Sequence, residues 1–149
     1  MPLGVVIVLA LVLGSAAVAS WRGGPPERIA AAVIVGWILT DAAYHLLFGP
    51  SGFDTVDPVH VVLDGGELIA ITALALRANR LWPLWAAAAQ LICVCGHLAA
   101  FIEPGGMTQA YWALTQMPQY IQLIALVLGA AAHTKRVRRM GPYRSWRVA

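Results

Sequence analysis

Charge is what this chain has least of. Of 149 residues only 11% are charged and 60% are hydrophobic, and the mean hydropathy is +0.72. Soluble domains carry about 25% charged residues, so that class is excluded, and no polar stretch is long enough for a separate extramembrane domain. Cysteine is nearly absent as well. The two present, Cys93 and Cys95, share one apolar segment. On a helix they point about 200° apart and cannot pair with each other, so they read as small apolar residues. Basic residues are missing from most of the chain. All ten Lys and Arg fall at Arg22 and Arg28, at Arg77 and Arg80, and between Lys135 and Arg147.

The hydrophobic residues divide into five runs, near 3–20, 29–48, 59–78, 82–102 and 109–132. Each approaches the roughly 20 residues that a helix needs to cross a bilayer core. Breakers separate them: Gly23-Gly24-Pro25-Pro26, Gly49-Pro50-Ser51-Gly52, Asp57-Pro58 and Glu103-Pro104-Gly105-Gly106. The first run ends in Ala17-Val18-Ala19, which resembles a signal-peptidase site, but no basic segment precedes it, so a retained helix is expected. The expected fold class is therefore all-α: an integral membrane bundle of five transmembrane helices, one domain over 1–149, with a basic cytoplasmic tail from 133. With five spans the three basic regions share one side, and the other loops carry Asp54, Asp57 and Glu103. The positive-inside rule then places the N-terminus outside and the C-terminus in the cytoplasm, in a bacterial inner membrane. Trp21, Trp82, Trp85 and Trp146 fall near the same inner boundary. The tail suits anionic lipid headgroups rather than nucleic acid.

Against this background Asp41, Tyr44, His45, His60, Asp64, Glu67 and His97 stand out, because they sit inside or at the edges of spans. A charge in hydrocarbon costs roughly 2.5–3.5 kcal/mol on insertion scales, which makes such residues functional candidates by default. Helical spacing groups them. Asp41 and His45 share a face of the second span. His60, Asp64, Glu67, Ile71 and Leu74 form one stripe on the third, Gln90, Cys93 and His97 one on the fourth, and Gln109, Trp112, Gln116, Gln119 and Leu123 one on the fifth. Four helices thus offer polar stripes to the outer half of one interior, with Glu67 near the midplane. The first helix has no such stripe and is expected to pack outside the group. Pro118 should kink the fifth helix. Gly65-Gly66 should give the third a thin side for close approach by a helix or ligand. A single intramembrane His or Gln is more often interhelical glue, and Asp41–His45 and His60–Asp64 suit local pairs. Helix-local pairing does not neutralise several acids at a shared depth.

The run Trp37-Ile38-Leu39-Thr40-Asp41-Ala42-Ala43-Tyr44-His45-Leu46 followed by Phe53 resembles the His-bearing helix of the emopamil-binding, or EXPERA-domain, family of sterol isomerases and the sigma-two receptor. Asp64-Gly65-Gly66-Glu67-Leu68-Ile69-Ala70-Ile71-Thr72 resembles its Glu-Thr helix, the stretches 77–85 and 90–96 its next hairpin, and Ala110-Tyr111-Trp112 the start of its last helix. The resemblance covers about residues 35–133, and its motifs are short. It implies that His45 and Glu67 are active-site residues and that Gln119 or Gln122 stands near a last-helix Asn of the family. The family isomerases carry a Glu four residues after the His; here that place is Gly49, so Asp41 or Asp64 would supply the carboxylate.

Three readings follow. In the first, a pocket binds or isomerises a sterol- or terpenoid-like molecule. His45, Glu67, Asp41 and Asp64 supply acid and base, and Trp37, Tyr44, His60, His97, Trp112, Gln116, Gln119 and Gln122 line the pocket. Trp37 and Tyr44 would also steady a carbocation. No cofactor is required. In the second, the histidines and carboxylates bind zinc, iron or haem, although no spacing matches a strong metal motif. In the third, the chain is a homodimer or an accessory subunit of a larger membrane complex, its small-residue runs serving helix contacts.

Overall fold

The computed structural model describes residues 3–49, 52–53, 55–103 and 108–147. Asp54 and the breakers Pro50-Ser51 and Pro104-Gly105-Gly106 lie outside the described residues. Five helices follow one another: α1 (Leu3–Arg22), α2 (Pro25–Phe48), α3 (Pro58–Arg77), α4 (Trp82–Ile102) and α5 (Thr108–Met140). Of these, α2, α3 and α4 are long and apolar enough to cross a membrane.

The helix boundaries have local causes. Pro25 and Pro26 begin α2, where their missing N–H groups cost nothing. Asp57 caps α3, its carboxylate accepting from the Val59 N–H at 2.9 Å, with Pro58 in the first turn. Gly49 ends α2 at φ +90°, in the left-handed region that favours glycine. α5 runs unbroken through Pro118 for 33 residues, about 50 Å at 1.5 Å per residue. That exceeds a hydrocarbon core of about 30 Å. Residues 133–140, the first part of the expected basic tail, are the last two turns of this helix and carry Lys135, Arg136, Arg138 and Arg139.

Each helix packs on the next, α5 closes back on α1, and α2 also touches α5. The result is a closed ring. α1 is therefore a full member, set between α2 and α5, not an outlier. It has no polar stripe because it supplies Val8 and Val12, which seal the interior beside Glu67. The apolar core is small-residue rich, with Ala30, Ala31, Ala86, Ala125 and Ala130 buried beside Ile34, Ile71, Leu74 and Leu126. Outward positions stay apolar: Leu46 is 86% exposed and Ile69 72%. A surface of that kind is matched to lipid rather than water.

The helix ends that carry the basic residues are tied by a buried knot. Glu27 is fully buried and accepts from the Gly24 N–H at 2.9 Å, the Trp82 indole at 2.8 Å and the Arg80 guanidinium at 3.2 Å. Arg80 also donates to Nδ1 of His133 at 3.1 Å, and its guanidinium lies 4.5 Å over the Tyr143 ring. The C-terminal segment docks on the α3–α4 turn, with Asn79 N donating to Ser145 O at 2.9 Å and Arg147 N to Arg77 O at 2.8 Å. Beside a Gly-Pro breaker a solvated acid is ordinary, so nothing in the sequence marks Glu27 as buried.

Candidate functional site

At the opposite end of the ring the polar stripes of α2, α3, α4 and α5 converge. They enclose a cavity of about 170 Å³ lined by Trp37, Asp41, His45, Phe53, His60, Asp64, His97, Tyr111, Thr115, Gln116 and Gln119, with Gly52 at its edge. Two groups of side chains face it.

The first group joins α2 to α3. Nε2 of His60 lies 2.9 Å from Oδ1 of Asp41 and 3.2 Å from Nε2 of His45. Nε2 of His45 stands 3.6 Å from the same Asp41 oxygen. His45 Nδ1 donates to the Gly49 carbonyl at 3.0 Å. Tyr44 does not line the cavity. Its hydroxyl donates to Asp57 at 2.9 Å, bracing the turn between the helices. Burial works to raise the Asp57 pKa, but the Val59 N–H, the Tyr44 hydroxyl and the charges of His60 and His45 outweigh it and hold that carboxyl below its usual range.

The second group joins α3, α4 and α5, and it is buried. His97 Nε2 donates to Asp64 Oδ2 at 2.7 Å, and Nδ1 accepts from the Tyr111 hydroxyl at 2.8 Å. Gln90 donates to both the carboxylate and the backbone carbonyl of Asp64 at 3.1 Å. Cys93 donates to Asp64 Oδ2 at 3.3 Å. Gln122 in turn donates to Gln90. The Asp64 carboxylate thus accepts from three side chains on α4. Cys93 is a member of this network and not merely apolar filling; Cys95 is exposed, and both are free thiols.

Glu67 does not share that cavity. It lines an adjoining space of about 30 Å³ with Val8, Ile34, Tyr120 and Gln122. Trp37, Gln116 and Gln119 border both spaces. Glu67 is 6% exposed and makes no hydrogen bond among the described residues. The indole N–H of Trp37, sealed from solvent, likewise has no partner. Buried polar groups are nearly always paired, so an unpaired donor on the wall between two cavities marks a place for an acceptor.

Trp112 is turned outward at 40% exposure and lines neither space; its neighbour Tyr111 takes the inward place. Gly65-Gly66 also differs from expectation: a Cβ at either would meet nothing within 4 Å. Close approach occurs instead at Gly96, where a Cβ would stand 2.8 Å from Leu114 Cβ. Tyr111 and Thr115 sit one residue before Trp112 and Gln116, off the face that the spacing 109, 112, 116, 119 and 123 predicts. A stripe written through 111, 115, 119 and 122 has the same helical period.

Compared with known proteins, the chain matches no family model, no curated protein and no solved structure.

Proposed function

We propose that this chain is a five-span membrane protein, N-terminus outside and C-terminus cytoplasmic, whose outer-half cavity does acid–base chemistry on the reactive end of a hydrophobic molecule. The orientation follows from the basic residues gathered at one set of helix ends. The observation that carries the chemistry is the pair of His–carboxylate contacts, His60–Asp41 at 2.9 Å and His97–Asp64 at 2.7 Å, facing one cavity. Isomerising a double bond needs a proton delivered at one carbon and removed at another. Two separate His–carboxylate pairs in different surroundings are suited to that division. Tyr111 donates into the His97 imidazole, so His97 and Asp64 form a chain along which a proton moves.

The cavity's size limits what enters. Pockets for whole ligands run to about 300–1,000 Å³, and this one is about 170 Å³. It takes the polar or unsaturated end of a sterol- or terpenoid-like molecule, whose apolar body would lie along the lipid-facing surface. In this reading Trp37 supplies its free N–H to an oxygen on that end. Glu67 faces the adjoining space and does not touch the reacting atoms. This keeps Asp41 and Asp64 as the carboxylates that the EXPERA resemblance calls for, gives the proton work to His60 and His97, and moves Glu67 one layer back.

The test is native mass spectrometry of protein extracted gently from its membrane, followed by assay of whatever it retains. A stoichiometric isoprenoid or sterol mass, converted by the wild type and left unconverted but still bound by His97→Gln, is the expected result. A wild type that retains no small molecule and co-purifies with another protein overturns it in favour of an accessory subunit.

A further inference from the structure

We infer that Asp41, His45 and His60 form a binding site for one divalent transition-metal ion at the wall of the cavity. The site stands independently of the reaction proposed for the cavity; with the ion bound, Asp41 and His60 are ligands, and proton transfer on that wall would pass to water held by the ion.

Asp41 Oδ1, His45 Nε2 and His60 Nε2 form a triangle with edges of 2.9, 3.2 and 3.6 Å. Its circumradius is about 1.9 Å. An ion about 2.05 Å from each atom, the distance zinc keeps to imidazole and carboxylate, would stand about 0.8 Å off the triangle's plane. A regular tetrahedron at that bond length requires about 0.7 Å. The spacing of the three atoms is therefore that of three corners of a tetrahedral site.

A carbonyl can only accept, so the Gly49 oxygen fixes the His45 proton on Nδ1. His45 Nε2 therefore presents a lone pair, and Asp41 Oδ1 presents lone pairs as well. In the neutral state a single proton, on His60 Nε2, serves both. Three donor atoms within 3.6 Å of one another with one hydrogen among them form an arrangement that a cation completes once His60 Nε2 releases that proton to solvent. A backbone carbonyl holding the far nitrogen of a ligating imidazole is also the usual support behind a metal-bound His. Gly49 makes that support possible, because its φ of +90° turns the end of α2 back towards His45.

The neighbouring set Asp64, Cys93 and His97 also lies within metal-ligand reach but has the opposite hydrogen count. Gln90, Cys93 and His97 all donate to the one carboxylate, and Tyr111 fills the remaining His97 nitrogen. That set is complete as a hydrogen-bond network, and a metal would have to break it.

Two imidazoles and one carboxylate suit zinc, and equally iron(II) where further positions are free. All three ligands line the cavity, so the remaining coordination position is reached from inside it. The ion would hold the oxygen of water, an alcohol or a carbonyl there, within the space that Asp64, His97 and Tyr111 also border.

The experiment uses the full chain in detergent, purified without chelator and dialysed against excess Zn(II) or Co(II). The expected result is one ion per chain by elemental analysis, with the intense visible bands of four-coordinate Co(II). Asp41→Asn and His60→Gln should each lower retained metal at least tenfold, while His97→Gln keeps it. A wild type without metal above background overturns the site. So does metal retained equally by the His60→Gln variant, or lost with His97→Gln alone, which would move it to the other cluster. Because the readout is metal content, the result stands whether or not a lipid substrate is found.

Discussion

His97 and Asp64 lie 33 residues apart in sequence, yet their side chains meet at 2.7 Å with both almost wholly buried. This contact ties α3 to α4 and orients the imidazole towards Tyr111 on α5. Removing the carboxylate strands three donors, those of Gln90, Cys93 and His97. Asp64→Ala should therefore destabilise the bundle by about 3–5 kcal/mol, as loss of one partner from a buried pair does. Asp64→Asn keeps the size and one acceptor and should cost less. Thermal unfolding in detergent of the two variants checks the order. Equal melting temperatures would contradict a network centred on this carboxylate.

The Glu27 knot makes a parallel prediction at the other end. Its carboxylate accepts from Gly24, Trp82 and Arg80 with no exposure to solvent. Glu27→Ala leaves the buried Arg80 charge without its partner, again at about 3–5 kcal/mol. The double variant Glu27→Ala with Arg80→Met removes both charges and should recover a good part of that loss. Unfolding midpoints of the single and double variants, read as a cycle, measure the coupling. Simple additivity of the two losses would show that the ion pair is incidental.

His133 gives the basic end a pH dependence. Burial lowers its pKa; Glu27 acts to raise it, while Arg80 and Arg28 lower it further, and the net shift is downward from 6.5. This agrees with its Nδ1 accepting from both Arg80 and the Tyr143 hydroxyl. The sign follows from linkage. Below 6.5 the unfolded chain takes up the proton before the folded one does, so stability falls as pH drops from 6.5 towards the folded value. Above 6.5 the contribution is level. Melting temperature across this window should fall more steeply for the wild type than for His133→Gln. Parallel curves would remove His133 from the account.

Much of the architecture is legible in the sequence, because hydropathy and breakers act locally. The Asp57-Pro58 cap and the start of α4 at Trp82 follow from residues next to them in the chain. The stripes of α2, α3 and α4 are readable too, since helical spacing fixes faces. Partner identity is another matter. Nothing in the spacing reveals that His60 turns to Asp41 on α2 while Asp64 turns to α4, because that depends on how far each helix is rotated in the ring. Glu67 shows the same limit: it lies on the His60–Asp64 stripe, yet a shift of less than one turn puts it in a different space. Trp112 and Tyr111 exchange roles for the same reason, as one residue on a helix is about 100° of rotation.

The glycines put that limit to a direct test. Gly65 and Gly66 look from the sequence like points of close approach, yet the ring leaves open space beside both. Replacing either with Ala adds helix propensity, about 1 kcal/mol in an interior position, and meets no neighbour. Gly65→Ala and Gly66→Ala should therefore leave the melting temperature unchanged or raise it. Gly129 is the contrasting case: a Cβ there would stand 2.5 Å from the Trp82 ring, and that indole is held by Glu27. The ring cannot yield without breaking the knot, so Gly129→Ala should destabilise by about 1–3 kcal/mol, the usual cost of overpacking. The comparison also separates the isolated chain from an assembly. If Gly66→Ala is harmless in detergent but disrupts a complex isolated from membranes, the thin side of α3 is occupied by another protein. If it is harmless in both settings, that face meets only lipid.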